Sequence, residues 1–216
     1  DYKPLEKKKG ILNIAESILK HPARVIHETY HSEPGNLILI QLIISIICLL
    51  AYGLTAGMFS MGTQLWAAPL KITAGALFSA IICLPSLFVF SCLAGADSKL
   101  SQITAILTGT VTVSSLLLLA FGPISWLFSQ STESLVFMGL LHLIFWGIAI
   151  NFGFQYLKNA MALANDKHGK QIAIWCLIFV LVTLQMTTTL RPIIGTSERL
   201  LQKEKKFFVT HWADQM

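Results

Sequence analysis

Charged residues are absent from five long stretches of the chain, residues 37–70, 72–96, 100–132, 134–157 and 171–190. The stretches consist mostly of apolar side chains, and the shortest, 171–190, has 20 residues. An α-helix needs about 20 residues to cross a hydrocarbon core about 30 Å thick. Helices also satisfy their own backbone hydrogen bonds, as lipid requires. The pattern therefore predicts an all-α, polytopic membrane protein with five transmembrane helices.

The polar segments on either side of these stretches divide the chain into three parts. Residues 1–36 are predicted to be a basic amphipathic segment on the membrane surface, with an ordinary solvated tail as the alternative. Residues 37–190 form the predicted five-helix transmembrane domain, and residues 191–216 a second amphipathic surface segment. The apolar positions at helical spacing in the first segment are Ile11, Ile14, Ile18 and Leu19.

The composition agrees with a membrane protein and limits the classes of function that the chain can have. Hydrophobic residues make up 54% of the chain and charged residues only 12%, against about a quarter charged in soluble domains. The four cysteines lie inside the apolar stretches without metal-ligand spacing, and no catalytic motif occurs. We therefore expect no enzyme activity, no cofactor, no metal site and no nucleic-acid partner.

The basic residues outside the apolar stretches predict the orientation. With five spans, ten lysines and arginines fall on the side of the N-terminus and six on the other side, with Lys71 among the six. The positive-inside rule then places the N-terminus in the cytoplasm and the C-terminus outside it. The net charge of +5 favours contact with anionic lipid headgroups at both faces.

Small residues mark two candidate surfaces for helix packing. Gly53 and Gly57 form a G-x-x-x-G pair near the end of the first span, and Ala149 and Gly153 lie in the fourth span. Small residues let helix backbones approach closely in lipid. We expect another membrane protein or a second copy of the chain to cover them. A loosened helix end is the alternative for Gly53 and Gly57.

Two further residues in the spans invite a functional hypothesis. Pro85 is predicted to kink the second span, either for packing or, as in transporters, to expose backbone to a solute. His142 is the one histidine inside a span, and a structural hydrogen bond is favoured over a proton relay because no span centre holds an acidic residue. A serine hydrolase that pairs His142 with Ser86 or Ser114 is the least favoured hypothesis.

The remaining candidates are polar and aromatic residues towards the ends of the spans. Asn151 and Gln185 are expected to act as hydrogen-bonding glue between helices. The residues expected at the membrane interface are Trp66, Trp126, Arg191 and Trp212.

Three stretches carry a resemblance to a known family: "MGTQLWAAPLKITAGALFSAIICLPSLFVFSCLAGADSKLSQ", "FGPISWLFSQSTESLVFMGLLHLIFW" and "TLRPIIGT". The chain resembles an uncharacterised family of bacterial five-span inner-membrane proteins. That family is in turn similar to the Yip-type membrane proteins, which bind partners during membrane trafficking. The resemblance implies a bacterial inner-membrane location and association with other membrane components. It supplies no catalytic residues.

Together these observations predict a non-catalytic integral membrane protein. We expect it to act as an accessory or scaffold subunit of a larger membrane assembly, or as a membrane-organising factor. Its partners would be membrane lipids and other integral membrane proteins or further copies of itself. The alternative is a small oligomeric transporter or channel subunit that uses Pro85 and His142.

Overall fold

The computed structural model describes residues 10–31, 34–59, 64–95, 98–132, 134–163 and 169–189, and these ranges contain seven α-helices and no strand. The prediction of an all-α protein is confirmed. The helices are α1 (Ile11–Lys20), α2 (Pro22–His31), α3 (Gly35–Met58), α4 (Gln64–Leu93), α5 (Leu100–Ser131), α6 (Leu135–Leu163) and α7 (Gly169–Thr189).

Four of these helices, α3 to α6, are long and apolar enough to cross a membrane. They indicate a membrane protein, as the charge-free stretches predicted. The fifth stretch corresponds to α7, whose apolar described part, Gln171–Met186, is shorter than the other four. The described helices therefore support four candidate spans, and the predicted count of five is not shown.

The long helices pack in the order α6–α5–α3–α4–α7, and α5 and α4 also touch. Side-chain contacts give their directions. Thr108 of α5 bonds to Gln41 of α3, and Thr112 to Ser45 four residues further along both helices, so α3 and α5 run parallel. In contrast, Ser114 contacts Ala149 and Thr110 lies beside Gly153, so α6 runs antiparallel to α5.

We call the end of the bundle where α3 and α5 begin the proximal end, and the opposite end the distal end. The two short helices lie at the proximal end, where α1 contacts α3 and α5, and α2 contacts α5 and α6. Their buried residues Ile14, Ile18, Val25 and Ile26 belong to the same apolar cluster as the long helices. The N-terminal segment is therefore packed on the bundle.

The predicted apolar stripe of the first segment is divided between two environments. Ile14 and Ile18 are each 2% exposed, whereas Ile11 and Leu19 are 44% and 55% exposed. Helical spacing identified the stripe, but only the protein's own helices decide which part of it they cover. Ile11 and Leu19 stay available for the predicted contact with lipid.

Tyr30 joins α2 to the proximal end of α6. Its hydroxyl donates a hydrogen bond of 3.1 Å to the carbonyl of Ala160. Ala160 lies in the last turn of α6, where carbonyls have no partner within the helix. Burial raises the pKa of Tyr30 above its ordinary value, which keeps the hydroxyl protonated as a donor. Tyr30 thus supplies a donor to a carbonyl at the end of α6, and the same hydrogen bond holds the N-terminal segment on the bundle.

Candidate functional site

His142 lies in a buried polar cluster formed by three helices. Its Nδ1 atom is 2.5 Å from the hydroxyl of Tyr52 on α3, and its Nε2 atom is 3.3 Å from the hydroxyl of Ser125 on α5. Tyr52 and Ser125 are fully buried, and His142 is 7% exposed. A neutral imidazole has one donor and one acceptor, so both ring nitrogens are paired in either tautomer. The arrangement suits a structural clasp between α3, α5 and α6.

Ser125 is a residue that the sequence did not single out as the partner of His142. The two serines of the hydrolase hypothesis lie elsewhere: Ser86 bonds to the carbonyl of Cys83, and Ser114 to the carbonyls of Thr110 and Ala149. Neither serine is the hydroxyl that the structure pairs with His142. That pairing in the hydrolase hypothesis is therefore wrong.

A second polar cluster joins α3 to α5 nearer the proximal end. The hydroxyl of Thr108 donates to Oε1 of Gln41 at 2.7 Å, and the hydroxyls of Ser45 and Thr112 lie 3.0 Å apart. The carbonyl oxygen of Gln41 lies within hydrogen-bond distance of both hydroxyls, 2.9 Å from that of Ser45 and 3.1 Å from that of Thr112. Sequence analysis missed this cluster, although matching polar pairs four residues apart on both helices were a usable signal.

Pro85 lies in the middle of α4, which continues past it as one helix, and its side chain is exposed. Next to it, the indole N–H of Trp175 on α7 contacts the carbonyl of Cys83 at 3.2 Å and the hydroxyl of Ser86 at 3.0 Å. A neighbouring helix thus supplies a donor beside the proline, as expected for a packing role. The kink itself stays a prediction.

Pro85 and His142 do not share a site. Pro85 lies beside the contact between α4 and α7, whereas His142 lies between α3, α5 and α6. The described helices therefore do not assemble the solute site that the transporter hypothesis built from these two residues.

The small residues predicted to pack helices together are buried between helices of this chain. A Cβ atom at Gly53 would overlap the Cα atom of Pro69 on α4, and one at Gly153 would overlap Ser114 and lie 3.0 Å from the carbonyl oxygen of Thr110 on α5. Ala149 is fully buried and Gly57 is buried. These residues do pack helices together, but the expectation that a partner covers them is corrected. The chain's own α4 covers Gly53, and its α5 covers Gly153.

Lys71 is a buried cation that the sequence analysis assigned to a connection. Since α4 begins at Gln64, Lys71 lies inside the candidate span Leu65–Leu93, and it is 5% exposed. The uncharged residues before Lys71 belong to α4 rather than to a loop. A single charged residue is a poor indicator of where a span begins, because a helix can bury the charged side chain against neighbouring helices.

The outward face of α6 carries polar groups that no other described helix covers. Asn151 and Gln155 are exposed, and so is Gly147 one turn before them. The Nε2 atom of Gln155 donates to Oδ1 of Asn151 at 3.3 Å. The expected hydrogen-bonding role of Asn151 therefore has no partner on another described helix. Gln185, the other candidate, is half-buried near the end of α7.

Two predicted interface residues are described. Trp66 at the start of α4 is 74% exposed, and Trp126 in the last turns of α5 is 49% exposed, so both face outwards near the distal end. Arg191 and Trp212 lie outside the described residues, as does the predicted C-terminal surface segment.

A small cavity of about 30 Å³ lies between α5, α6 and α7. Trp146, Phe154 and Phe179 line it, together with the buried hydroxyl of Thr183, which has no partner among the described residues. This volume holds about two water molecules. It does not hold a larger solute.

Within the described ranges, no group of three or more histidine, cysteine or acidic side chains is arranged to hold a metal ion. The chain was also compared with models of known protein families, with curated proteins and with solved structures, and none of the three comparisons gave a match.

Proposed function

We propose that this protein is a non-catalytic integral membrane protein that acts by binding other membrane components, as an accessory or scaffold subunit or a membrane-organising factor. One observation carries the proposal: Asn151 and Gln155 are exposed on α6 inside a candidate span. Amides at such a position are costly in lipid and favour bonding to another helix.

The rest of the bundle supports a binding role over transport. His142 is held by Tyr52 and Ser125, and the backbone beside Pro85 is held by Trp175. Both features that suggested transport are thus engaged in contacts between the chain's own helices. Asn151 and Gln155, by contrast, face outwards on α6 and bond only to each other among the described residues.

The proposal includes five spans, with α7 as the fifth, and a bacterial inner membrane as the location. The family resemblance supports this location. Five spans place the two termini on opposite sides of the membrane, and the loop charges put the N-terminus in the cytoplasm. Because Lys71 lies within α4, the loop charges become ten against five, which favours this orientation further.

Thiol labelling in intact cells tests the orientation. A cysteine that replaces Ser131 at the distal end should react with a membrane-impermeant reagent, and one that replaces Asn165 should react only after the cells are opened. The reverse pattern would contradict the proposed topology. Equal labelling of both sites in intact cells would contradict a membrane crossing by α6, the helix between Ser131 and Asn165.

Purification tests the binding role. The full chain, extracted from its membrane with a mild detergent, should migrate as a complex with a fixed stoichiometry. The transport alternative is tested with the same preparation in sealed vesicles, where Pro85→Ala should leave solute permeability unchanged. A chain that is monomeric in every mild detergent and in bilayers would overturn the binding role, and a solute flux that Pro85→Ala abolishes would replace it with transport.

A further inference from the structure

We infer that the outward face of α6 is a contact surface for a second copy of this chain, with the two α6 helices side by side. The inference deepens the proposed function and rests on it, because it names the component that is bound. Its central residues are Gly147, Asn151 and Gln155, which follow one another at intervals of four residues and are all exposed.

These residues lie opposite the face that packs on α5. Ala149 and Gly153 face α5, and a helix turns by about 100° per residue, so Asn151 points about 180° away from the midpoint of that pair. Packing among the described helices therefore leaves the Asn151 face exposed. Its flanking apolar residues are also exposed, with Ile144 at 49% and Ile148 at 39%.

The depth of Asn151 gives this face its energetic significance. Asn151 lies 12 residues before the end of α6 at Leu163, which corresponds to about 18 Å along the helix axis. It thus lies within the candidate span Val136–Leu163, seven residues or about 10 Å before the exposed Lys158 on the same face. An amide that faces hydrocarbon without partners loses its hydrogen bonds to water and gains none in return.

The bond between Gln155 and Asn151 pairs only some of the polar atoms of these two side chains. It uses one N–H of Gln155 and Oδ1 of Asn151. Both N–H groups of Asn151 and the Oε1 atom of Gln155 have no partner among the described residues. The face therefore offers donors and an acceptor together, which is the combination that a second, identical face can satisfy.

A second copy meets the geometric requirements that follow. Two copies in one membrane have the same orientation, so their α6 helices run parallel and Asn151 of each lies at the same depth. A two-fold axis along the membrane normal then brings Asn151 opposite Asn151 of the partner subunit. A different partner would need a polar residue at that depth, whereas an identical chain supplies one automatically.

Gly147 permits the close approach that such a pair needs. No described residue lies within 4 Å of the position that a Cβ atom at Gly147 would occupy. A helix can therefore approach the backbone of α6 one turn from Asn151, and dispersion contacts with Ile144 and Ile148 would add to the hydrogen bonds. Residues 144–155 carry no charge, and the exposed Lys158, one turn beyond Gln155 on the same face, has a long side chain that can extend towards the headgroups.

The experiment measures dimerisation of the full-length chain in lipid bilayers, by single-molecule photobleaching across a range of protein densities. Asn151→Leu should weaken dimerisation by about threefold to twentyfold, the range for polar contacts between membrane helices. Asn36→Leu, the same substitution at an exposed site at the start of α3, should leave dimerisation unchanged. Unfolding of Asn151→Leu at low density should be no easier than that of the native chain.

Disulfide crosslinking in the membrane provides a second readout, with Cys92→Ser in every variant because Cys92 is exposed. Gly147→Cys should form a crosslinked dimer, and Ile174→Cys on the outward face of α7 should not. Dimers that crosslink at Ile174→Cys and are insensitive to Asn151→Leu would overturn the inference. If Asn151→Leu instead released a different membrane protein from a chain that never dimerises, the second copy would be ruled out and the binding role retained. Failure of both kinds of association would overturn both.

Discussion

The two faces of α6 have similar composition, but one is buried and the other is exposed. The inward face, with His142, Ala149 and Gly153, is buried against α3 and α5, and its polar groups are paired. The outward face, with Gly147 and Asn151, has small and polar residues of the same kinds but no neighbouring helix among the described ones. A glycine or an amide in a span therefore does not reveal which helix it serves. Its partner can belong to the same chain or to another.

The largest expected difference between the two faces comes from the same substitution at two glycines of α6. Gly153→Leu should lower the free energy of unfolding by about 3 kcal/mol or prevent folding, because Ser114 and the backbone of Thr110 leave no room for a side chain. Gly147→Leu should leave monomer stability nearly unchanged, because its surroundings are open. Denaturation with sodium dodecyl sulfate in mild detergent measures both. Equal losses at the two positions would contradict the distinction between the faces.

An intermediate effect is expected at the polar centre of the inward face. His142→Leu should lower the free energy of unfolding by about 1–3 kcal/mol, because it leaves the buried hydroxyls of Tyr52 and Ser125 without their partner. Tyr52→Phe in the His142→Leu background should recover part of the loss, since it removes one of the stranded hydroxyls. The same unfolding assay applies. A His142→Leu variant as stable as the native chain would show that the cluster does not hold the helices together.

The smallest effect is expected from a matched pair of tyrosines near the proximal end of α6. Tyr30→Phe should cost about 1 kcal/mol, because the hydrogen bond to the Ala160 carbonyl is lost. Tyr156→Phe should cost nothing or stabilise slightly, because its buried hydroxyl has no partner among the described residues and its ring packs on Gly109. Hydrogen exchange of α1 and α2 should rise only in Tyr30→Phe. A rise in both variants would mean that the tyrosine rings, rather than the single hydrogen bond, hold the segment.

The described helices also show where pattern reasoning works along this chain. The apolar stretches located both ends of α5 and the starts of α3 and α6 to within two residues, because long uncharged segments leave a helix few alternatives in lipid. They did not locate the end of α3 at Met58 or the end of α6 at Leu163. They misplaced the start of α4, where Lys71 was used as a boundary although it lies inside the helix. Composition detects a span reliably, but one buried charge is enough to shift its predicted end.

The sequence by itself determined that the chain is helical and suited to a membrane, and it identified His142, Asn151 and the small residues of α6 as the groups to explain. Only the tertiary structure decided that Tyr52 and Ser125 bind His142, that α5 covers Gly153, and that no described helix covers Asn151. The reason is physical. In a soluble protein, the apolar stripe of a helix identifies its buried side. A membrane helix is apolar on every side, so it has no such stripe. Helical periodicity then tells which residues share a face, but not which face meets a neighbour.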